Sequence, residues 1–212
     1  FVSFADEEGV AVTCDYSNGT FTFTAENLAN VIDGANTFIL TTKDGETTYK
    51  YGILLTVYKN FISDEAELLA FAEDLDGAKT SSSALTGWYK LDADIDMTES
   101  DFVFGDLYGN PTKDTAGDRY FAGTFDGDGH SIIGIKTGNK GIFNMVQSTA
   151  VVKNVAFVDA YAFGYHANGT QTEQNVSHGS NILSEQFAGT LQNVFVSGSV
   201  GTTNWGFTGT VE

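Results

Sequence analysis

The chain has 212 residues, which is enough for one large domain or two small ones. Its 28 acidic and 10 basic residues give a net charge of −18. Such a surface repels nucleic-acid phosphates and anionic lipids, so the composition argues against nucleic-acid and membrane partners. Hydrophobic residues make up 42% of the sequence, which supports a packed core, but no apolar run is long enough to span a bilayer.

The single cysteine, Cys14, excludes an intrachain disulfide. It lies in a strand-like stretch, and we interpret it as a small buried hydrophobic residue rather than a nucleophile. The sequence begins at Phe1 without a signal peptide, which indicates an excised fragment, so the missing export signal carries no weight.

Residues 1–60 show the period of two that is typical of half-buried strands. Turn residues separate the strands, and Asp44-Gly45 predicts a hairpin. Five or six short strands in 60 residues predict a small β-sandwich, and their rhythm resembles the Ig-like modules of bacterial secreted and surface proteins. The alternating apolar residues are Val10, Val12, Cys14, Phe21, Phe23, Phe38, Leu40, Ile53, Leu55 and Val57.

Residues 63–75 change to a helical period. Ser63 or Asp64 is suited to the N-cap, and Glu67 follows Asp64 by three residues, as in a capping box. We predict a helix that caps the following domain, residues 61–212, with its apolar face against the core. That face contains Leu68, Phe71 and Leu75.

From Trp88 onward the sequence repeats. The motif at 121–125 recurs at 187–191 and 207–211, and an apolar-x-x-apolar motif recurs at 132–135, 152–155 and 191–194. Offsets near 20 and 40 residues predict a period near 20. The odd spacing requires a bend before the second apolar residue. The residues there tolerate the left-handed conformation best, and they are Asp94, Gly134, Asn154 and Asn193.

A recurring corner between short strands predicts a stack of β coils, an all-β fold of the parallel β-helix type. A leucine-rich repeat of similar period is the alternative, but the segment has few Leu residues. The chain resembles bacterial surface proteins with GLUG-type repeats at residues 89–96, 121–132, 141–143 and 152–155. It departs from them at Asn144, which follows Phe143 at a position where that family often has Gly. The resemblance implies a pectate-lyase-like right-handed β-helix over roughly 62–212, here truncated, in a secreted or wall-associated, adhesin-like protein. It implies no catalytic residues.

Two acidic clusters are candidates for chemistry. Asp92, Asp94 and Asp96 alternate with apolar residues, so a straight strand would place three carboxylates on one face, which permits weak Ca²⁺ binding. The structural alternative is a solvated face, with Asp96 near Lys136 of the next coil. Residues 126–130 contain two carboxylates and His130, which are suited to the roles of acid and base. The alternative is structural, because the glycines beside Asp128 are typical of a tight turn.

The remaining candidates are weaker. His166 and His178 lie twelve residues apart and lack neighbours at metal-ligand spacing, so we predict no metal or cofactor site there. Sequons at Asn18, Asn168 and Asn175 matter only in a eukaryotic secretory host. Four aromatic residues are suited either to stacking on sugars or to packing within coils, namely Tyr161, Phe163, Tyr165 and Trp205.

Two functions from different classes fit these patterns. The first is a non-catalytic extracellular or cell-wall protein, adhesin-like, that binds glycans or other surface proteins. The second is a fragment of a polysaccharide lyase or glycoside hydrolase with a β-helix fold, a reading that rests on fold analogy. The sequence contains no catalytic constellation, and 10 basic residues are few for recognising acidic substrates, so the first function is favoured.

Overall fold

The computed structural model describes residues 3–24, 26–105, 118–138, 140–164, 181–202 and 208–211. Within these ranges the chain forms 18 strands, one α-helix and one 3-10 turn, so the prediction of an all-β class is confirmed. The chain is divided into two compact units, Phe1–Lys59 and Asn60–Glu212.

The first unit is antiparallel. One sheet has the order β1-β4-β5, and β2 and β3 form a separate hairpin. The hairpin at Asp44-Gly45 is confirmed, since Leu40 pairs with Tyr51 and Thr42 with Tyr49. The strands are β1 (Ser3–Asp6), β2 (Asp15–Ser17), β3 (Thr20–Thr22), β4 (Gly34–Asp44) and β5 (Thr47–Val57).

Aromatic packing holds this unit together. The ring of Phe4 on β1 stacks on Phe38 of β4 with centroids 5.0 Å apart and lies 5.9 Å from Phe21 of the β2-β3 hairpin. Val12 and Val31 complete the buried core, and the half-buried Cys14 packs against it. Desolvation raises the pKa of the Cys14 thiol, and the neighbouring Asp15 carboxylate adds to this effect, so the thiol is less reactive than a free cysteine.

The second unit is made of short, mostly parallel strands and the helix α1 (Glu65–Gly77). Its strands are β6 (Asn60–Ile62), β7 (Trp88–Leu91), β8 (Ile95–Asp96), β9 (Val103–Phe104), β10 (Tyr120–Phe121), β11 (Thr124–Asp126), β12 (Ser131–Ile133), β13 (Lys136–Thr137), β14 (Met145–Val146), β15 (Val151–Gly164), β16 (Gln186–Phe187), β17 (Thr190–Thr202) and β18 (Thr208–Val211).

The chain returns several times to the same sheets, and each return, called a pass, stacks in register on the one before. The sheet order β6-β7-β11-β15-β17 is parallel throughout, and β10-β14-β16 forms a second parallel sheet. Trp88, Thr124, Val151 and Thr190 lie at one position of consecutive passes. The intervals between them are 36, 27 and 39 residues. The predicted period near 20 is therefore wrong.

The motif at 132–135 does not align with the one at 152–155. Ile132 pairs with Ile95 and Phe157, whereas Val152 pairs with Phe125 and Leu191. The two motifs therefore occupy different segments of two consecutive passes. The repeat at 121–125 and 187–191 does align, two passes apart. Its third copy differs, since β18 runs antiparallel to β17, and Phe207 lies outside the described residues.

Three of the four predicted corners have left-handed backbone. The φ angles are +69° at Gly134, +52° at Asn154 and +53° at Asn193. Asp94 is not among the residues with positive φ, so this prediction is wrong. The Asp94 carboxylate instead accepts a hydrogen bond from the backbone of the next pass.

Helix α1 lies against the interior of the second unit. It begins after the N-cap Asp64, whose Oδ1 accepts from the backbone N–H of Glu67 at 2.9 Å, while the Glu67 carboxylate accepts from the N–H of Ser63 at 2.7 Å. Leu68, Phe71 and Leu75 are buried in the core, as the helical pattern predicts. No helix in the described ranges has the length and apolarity to cross a membrane.

Candidate functional site

One group of charged residues in the second unit lies along β7, β11 and β15 and in the turn that follows β11. Lys90, Asp126 and Lys153 occupy one position of three consecutive passes, so charges alternate along the stack. The seven residues of this region, called the polar corner below, are Lys90, Asp94, Asp126, Asp128, His130, Lys153 and Asn154.

Asp126 is the most enclosed carboxylate of the polar corner, with 6% of its surface exposed. Its Oδ1 accepts from the backbone N–H of Asp128 at 3.0 Å and from Nδ2 of Asn154 at 3.1 Å. Its Oδ2 lies 3.0 Å from Nζ of Lys153. Both oxygens are thus engaged in contacts that fix the turn and join two passes, whereas a general base needs an oxygen that is open to its substrate.

The turn after Asp126 is built as its glycines predict. Asp128 has φ +51°, and the N–H of His130 donates to the carbonyl of Gly127 at 2.8 Å, which closes the turn. The Asp128 carboxylate reaches back to the preceding pass, where its Oδ2 lies 2.9 Å from Nζ of Lys90. Asp126 and Asp128 therefore pair with lysines of opposite neighbouring passes.

Asp94 joins the polar corner from the pass before His130. Its Oδ1 accepts from the backbone N–H of Ser131 at 2.8 Å and lies 3.3 Å from Nδ1 of His130. The Ser131 hydrogen bond lowers the pKa of Asp94 below its ordinary value, and the hydrogen bond and charge of His130 act in the same direction. The carboxylate therefore stays ionised at neutral pH, as a register-holding acceptor requires.

The three alternating aspartates do not converge on one point in the described structure. Asp96 accepts from the N–H of Thr98 at 2.9 Å and from its hydroxyl at 2.6 Å, which lowers the pKa of this carboxyl. Asp94 is turned to the next pass, and Asp92 is exposed. In the described part of the chain, no three His, Cys, Asp or Glu side chains come close enough to hold a metal ion.

The expected contact between Asp96 and Lys136 is also wrong. Asp96 stacks beside Ile133, whereas Lys136 lies one strand further, beside Val103. The ammonium group of Lys136 donates to the carbonyl of Ser100 at 2.5 Å. The error follows from the assumed 20-residue period, which matched Ile95 with Ile135 rather than with Ile132.

Asparagine side chains extend the polar corner along the stack. Asn193 donates through Nδ2 to Oδ1 of Asn154 at 3.0 Å, and Asn154 donates in turn to Asp126. Each amide thus bonds the pass before it. The sequence pattern marks these positions as corners, but it gives no sign of the side-chain ladder, which depends on the register.

A second charged cluster was missed by sequence reasoning. The guanidinium of Arg119 is buried and donates through Nε to Asp76 of α1 at 2.7 Å and also through Nη2. Lys140 is buried as well; its Nζ donates to Asp118 at 3.0 Å and contacts Glu185. No local motif reveals these pairs, since the partners Arg119 and Asp76 are 43 residues apart and Lys140 and Glu185 are 45 apart.

A small cavity adjoins this cluster. Apolar residues of α1 and β9 form much of its wall, together with Arg119 and Asp76. Asn144 also lines it, with φ +58°, and its Oδ1 has no hydrogen-bond partner among the described atoms. The two charged residues in its wall, Arg119 and Asp76, are paired with each other.

Several residues considered from the sequence lie outside the described ranges, namely His166, His178, Tyr165, Trp205, Asn168 and Asn175. Nothing is described for the side chain of Phe163, and Tyr161 is 41% exposed on β15. The sugar-stacking platform of four aromatic residues therefore remains a prediction.

Comparisons with known proteins identify a relative by sequence. No family model matches the chain. No solved structure matches it either. The chain is similar to the protein named Halomucin from Haloquadratum walsbyi, with 31% identity over 210 residues. This similarity covers 92% of the chain but only 2% of Halomucin, so the chain spans a small part of that relative's length.

Proposed function

We propose that the chain is a non-catalytic module of an extracellular surface protein, which adheres to glycans or to other surface proteins. The observation that carries this proposal is that the carboxylates of the polar corner are engaged in contacts between neighbouring passes. The carboxylates best suited to chemistry, Asp94 and Asp126, accept hydrogen bonds from neighbouring passes, and Asp126 also pairs with Lys153. Groups used in this way hold a scaffold in register.

The proposed scaffold is a right-handed parallel β-helix of the GLUG-repeat type, preceded by an Ig-like β-sandwich. Parallel pairing of consecutive passes, left-handed asparagine corners and an apolar helix face against the core all support the β-helix. The two antiparallel sheets of the first unit, joined through Phe4 and Phe21, support the sandwich.

The extracellular location rests on two further observations. The first is the name of the relative Halomucin, which describes that protein as a mucin. The net charge of −18 favours solubility and disfavours binding to nucleic acid. The chain covers a small part of Halomucin, so the role of the whole relative enters only as support.

The polysaccharide lyase or hydrolase alternative requires a carboxylate pair with free oxygens on one face. The polar corner has three carboxylates. Asp126 and Asp128 are each paired with a lysine of a neighbouring pass, and Asp94 accepts from Ser131 of the next pass. The geometry therefore favours the adhesive role over the enzymatic one.

The test is a glycan array combined with degradation assays on acidic and neutral polysaccharides, using the wild type and the variant Asp126→Asn. We expect retention of particular glycans or surface proteins and no release of reducing ends or unsaturated products by either protein. Turnover by the wild type that is lost in Asp126→Asn would overturn the proposal in favour of the enzyme. Binding to no glycan and to no surface protein would contradict the adhesive role.

A further inference from the structure

The inward side chains at β16 and β17 are less covered than those of the preceding passes. Phe125 and Val152 occupy the same inward position in consecutive passes and are fully buried, but Leu191 at the next pass is 48% exposed. The series from Phe121 through Val146 to Phe187 follows the same trend, from buried to half-buried. Leu191 and Phe187 thus occupy core positions over which no residue of a further pass stacks in the described part of the chain.

The backbone of this pass is open along the same stretch. β17 pairs with β15 along one edge, and β18 covers only Gly198–Gly201 of the other edge. Among the described strands, none pairs with the outer edge of residues 190–196. A row of unpaired N–H and C=O groups beside exposed apolar side chains is a template for another strand.

The asparagine ladder specifies what that strand must look like. Asn154 and Asn193 lie in left-handed backbone at matching positions, and Asn193 donates down to Asn154. In the described part of the chain no donor from a further pass reaches the Oδ1 of Asn193. A strand that follows both halves of β17 must bend at the same place, so it needs Asn, Gly or Asp there.

We infer that β16 and residues 190–196 of β17 form a docking surface for one further parallel β coil. The occupant carries apolar side chains above Leu191, Val194 and Val196, and an asparagine above Asn193. This register repeats the one that β11, β15 and β17 already share. An antiparallel strand from a second copy fits less well. Matching the two corners at Asn193 would place Phe195 opposite Leu191 and Gln192 opposite Val194, so inward side chains would face outward ones. The inference rests on the proposed β-helix scaffold.

A peptide with the sequence of residues 149–159 is the probe, because β15 has the required residues and already stacks on β17 from the other side. The peptide is titrated into the isotope-labelled full chain while backbone amide NMR signals are followed. We expect shift changes confined to residues 190–196, because the residues that match β16 in this register, Met145 and Val146, are absent from the peptide. The same peptide with Asn154→Val should bind at least tenfold more weakly, since valine disfavours the corner.

Variants of the protein provide the matched control. Val194→Asp should weaken peptide binding at least tenfold, whereas Val10→Asp, the same change at an exposed site of the first unit, should leave it unchanged. If Val194→Asp does not fold, the comparison of the two peptides still decides the question. No shift at residues 190–196 at about 1 mM peptide would overturn the inference, since even weak docking is visible there.

Self-association is the other contradicting outcome. A concentration-dependent dimer in which residues 190–196 are protected would assign this surface to a second copy rather than to a coil. Because no readout here involves glycans, failure of the docking inference and failure of the proposed adhesive function are distinguishable.

Discussion

Asn154 meets two requirements at one position of the stack. Its backbone is left-handed, with φ +52°, and its side chain bonds the passes on both sides through Asp126 and Asn193. Asparagine is among the few residues that tolerate this conformation, and it is the one whose amide both donates and accepts. The residue therefore fixes the path of the chain and its register together.

The variant Asn154→Val should lose about 2–3 kcal/mol of unfolding free energy, of which about 1–2 comes from left-handed strain and the rest from lost hydrogen bonds. The control Asn154→Gly keeps the conformation and removes only the amide, so it should lose about 1 kcal/mol. Urea unfolding measures both values. Equal stability of the valine variant and the wild type would show that the corner needs no left-handed residue.

Asp94 gives the structure a pH dependence. Its pKa is lowered in the folded chain by the Ser131 N–H and by His130, so the unfolded chain binds the proton more readily. The stability that this carboxylate provides is present above its unfolded pKa, near 4, and is lost as the pH falls through the lower folded value. We expect the wild type to lose stability below about pH 4 more steeply than Asp94→Asn does. Parallel stability profiles, followed by urea unfolding between neutral and acidic pH, would contradict this role of Asp94.

The residue scale also shows the limit of sequence reasoning. A left-handed corner is visible in sequence at Gly134, Asn154 and Asn193, because few residue types accept it. Asp94 shares that residue preference but keeps ordinary backbone, since its carboxylate binds the N–H of Ser131 in the next pass. Conformation and side-chain bonding select the same residue types, so the sequence alone does not separate them.

At the scale of elements, α1 supplies aromatic packing to the core. The ring of Phe71 lies 5.3 Å from that of Phe125 and 5.9 Å from that of Phe121, and it is fully buried. The helix was predictable because its cap residue and its apolar spacing are local features. The intervals of the stack were not, because strands that are adjacent in space lie 27 to 39 residues apart in sequence.

The variant Phe71→Ala should destabilise the second unit by about 3–5 kcal/mol, through lost burial and the cavity left behind. Phe61→Ala is the matched control, since Phe61 on β6 is 48% exposed, and its loss should stay below about 1 kcal/mol. Chemical denaturation monitored by circular dichroism gives both values. Similar effects of the two substitutions would mean that α1 does not seal the core.

At the scale of the whole molecule, the net charge determines how salt affects the stability of the fold. With a net charge of −18, repulsion between carboxylates opposes the compact state, and salt screens it. The melting temperature should therefore rise as NaCl is increased from low to molar concentration. Salt also screens the attraction within the two ion pairs of the polar corner, Lys90–Asp128 and Lys153–Asp126, which lowers stability, but these pairs are few beside the net charge. A melting temperature that falls with salt would show that these pairs outweigh the repulsion.

The overall topology was only partly predictable. Parallel stacking follows from the repeats, whereas β18 repeats the same motif and runs antiparallel. An alternating apolar pattern satisfies either direction of pairing, so the choice depends on which edge is free when the strand folds back. The charged cluster of Arg119 and Lys140 was invisible for a related reason, since its partners meet only after the passes have stacked.

The central claim is that the polar corner holds the stack in register rather than performing chemistry. A double-mutant cycle on Asp126 and Lys153 tests it most directly, using unfolding free energies of Asp126→Asn, Lys153→Met and the double variant. We predict losses of about 1–3 kcal/mol for each single variant and a coupling energy of about 0.5–3 kcal/mol between them. Single variants as stable as the wild type, with no coupling, would contradict the structural role and leave Asp126 free for another one.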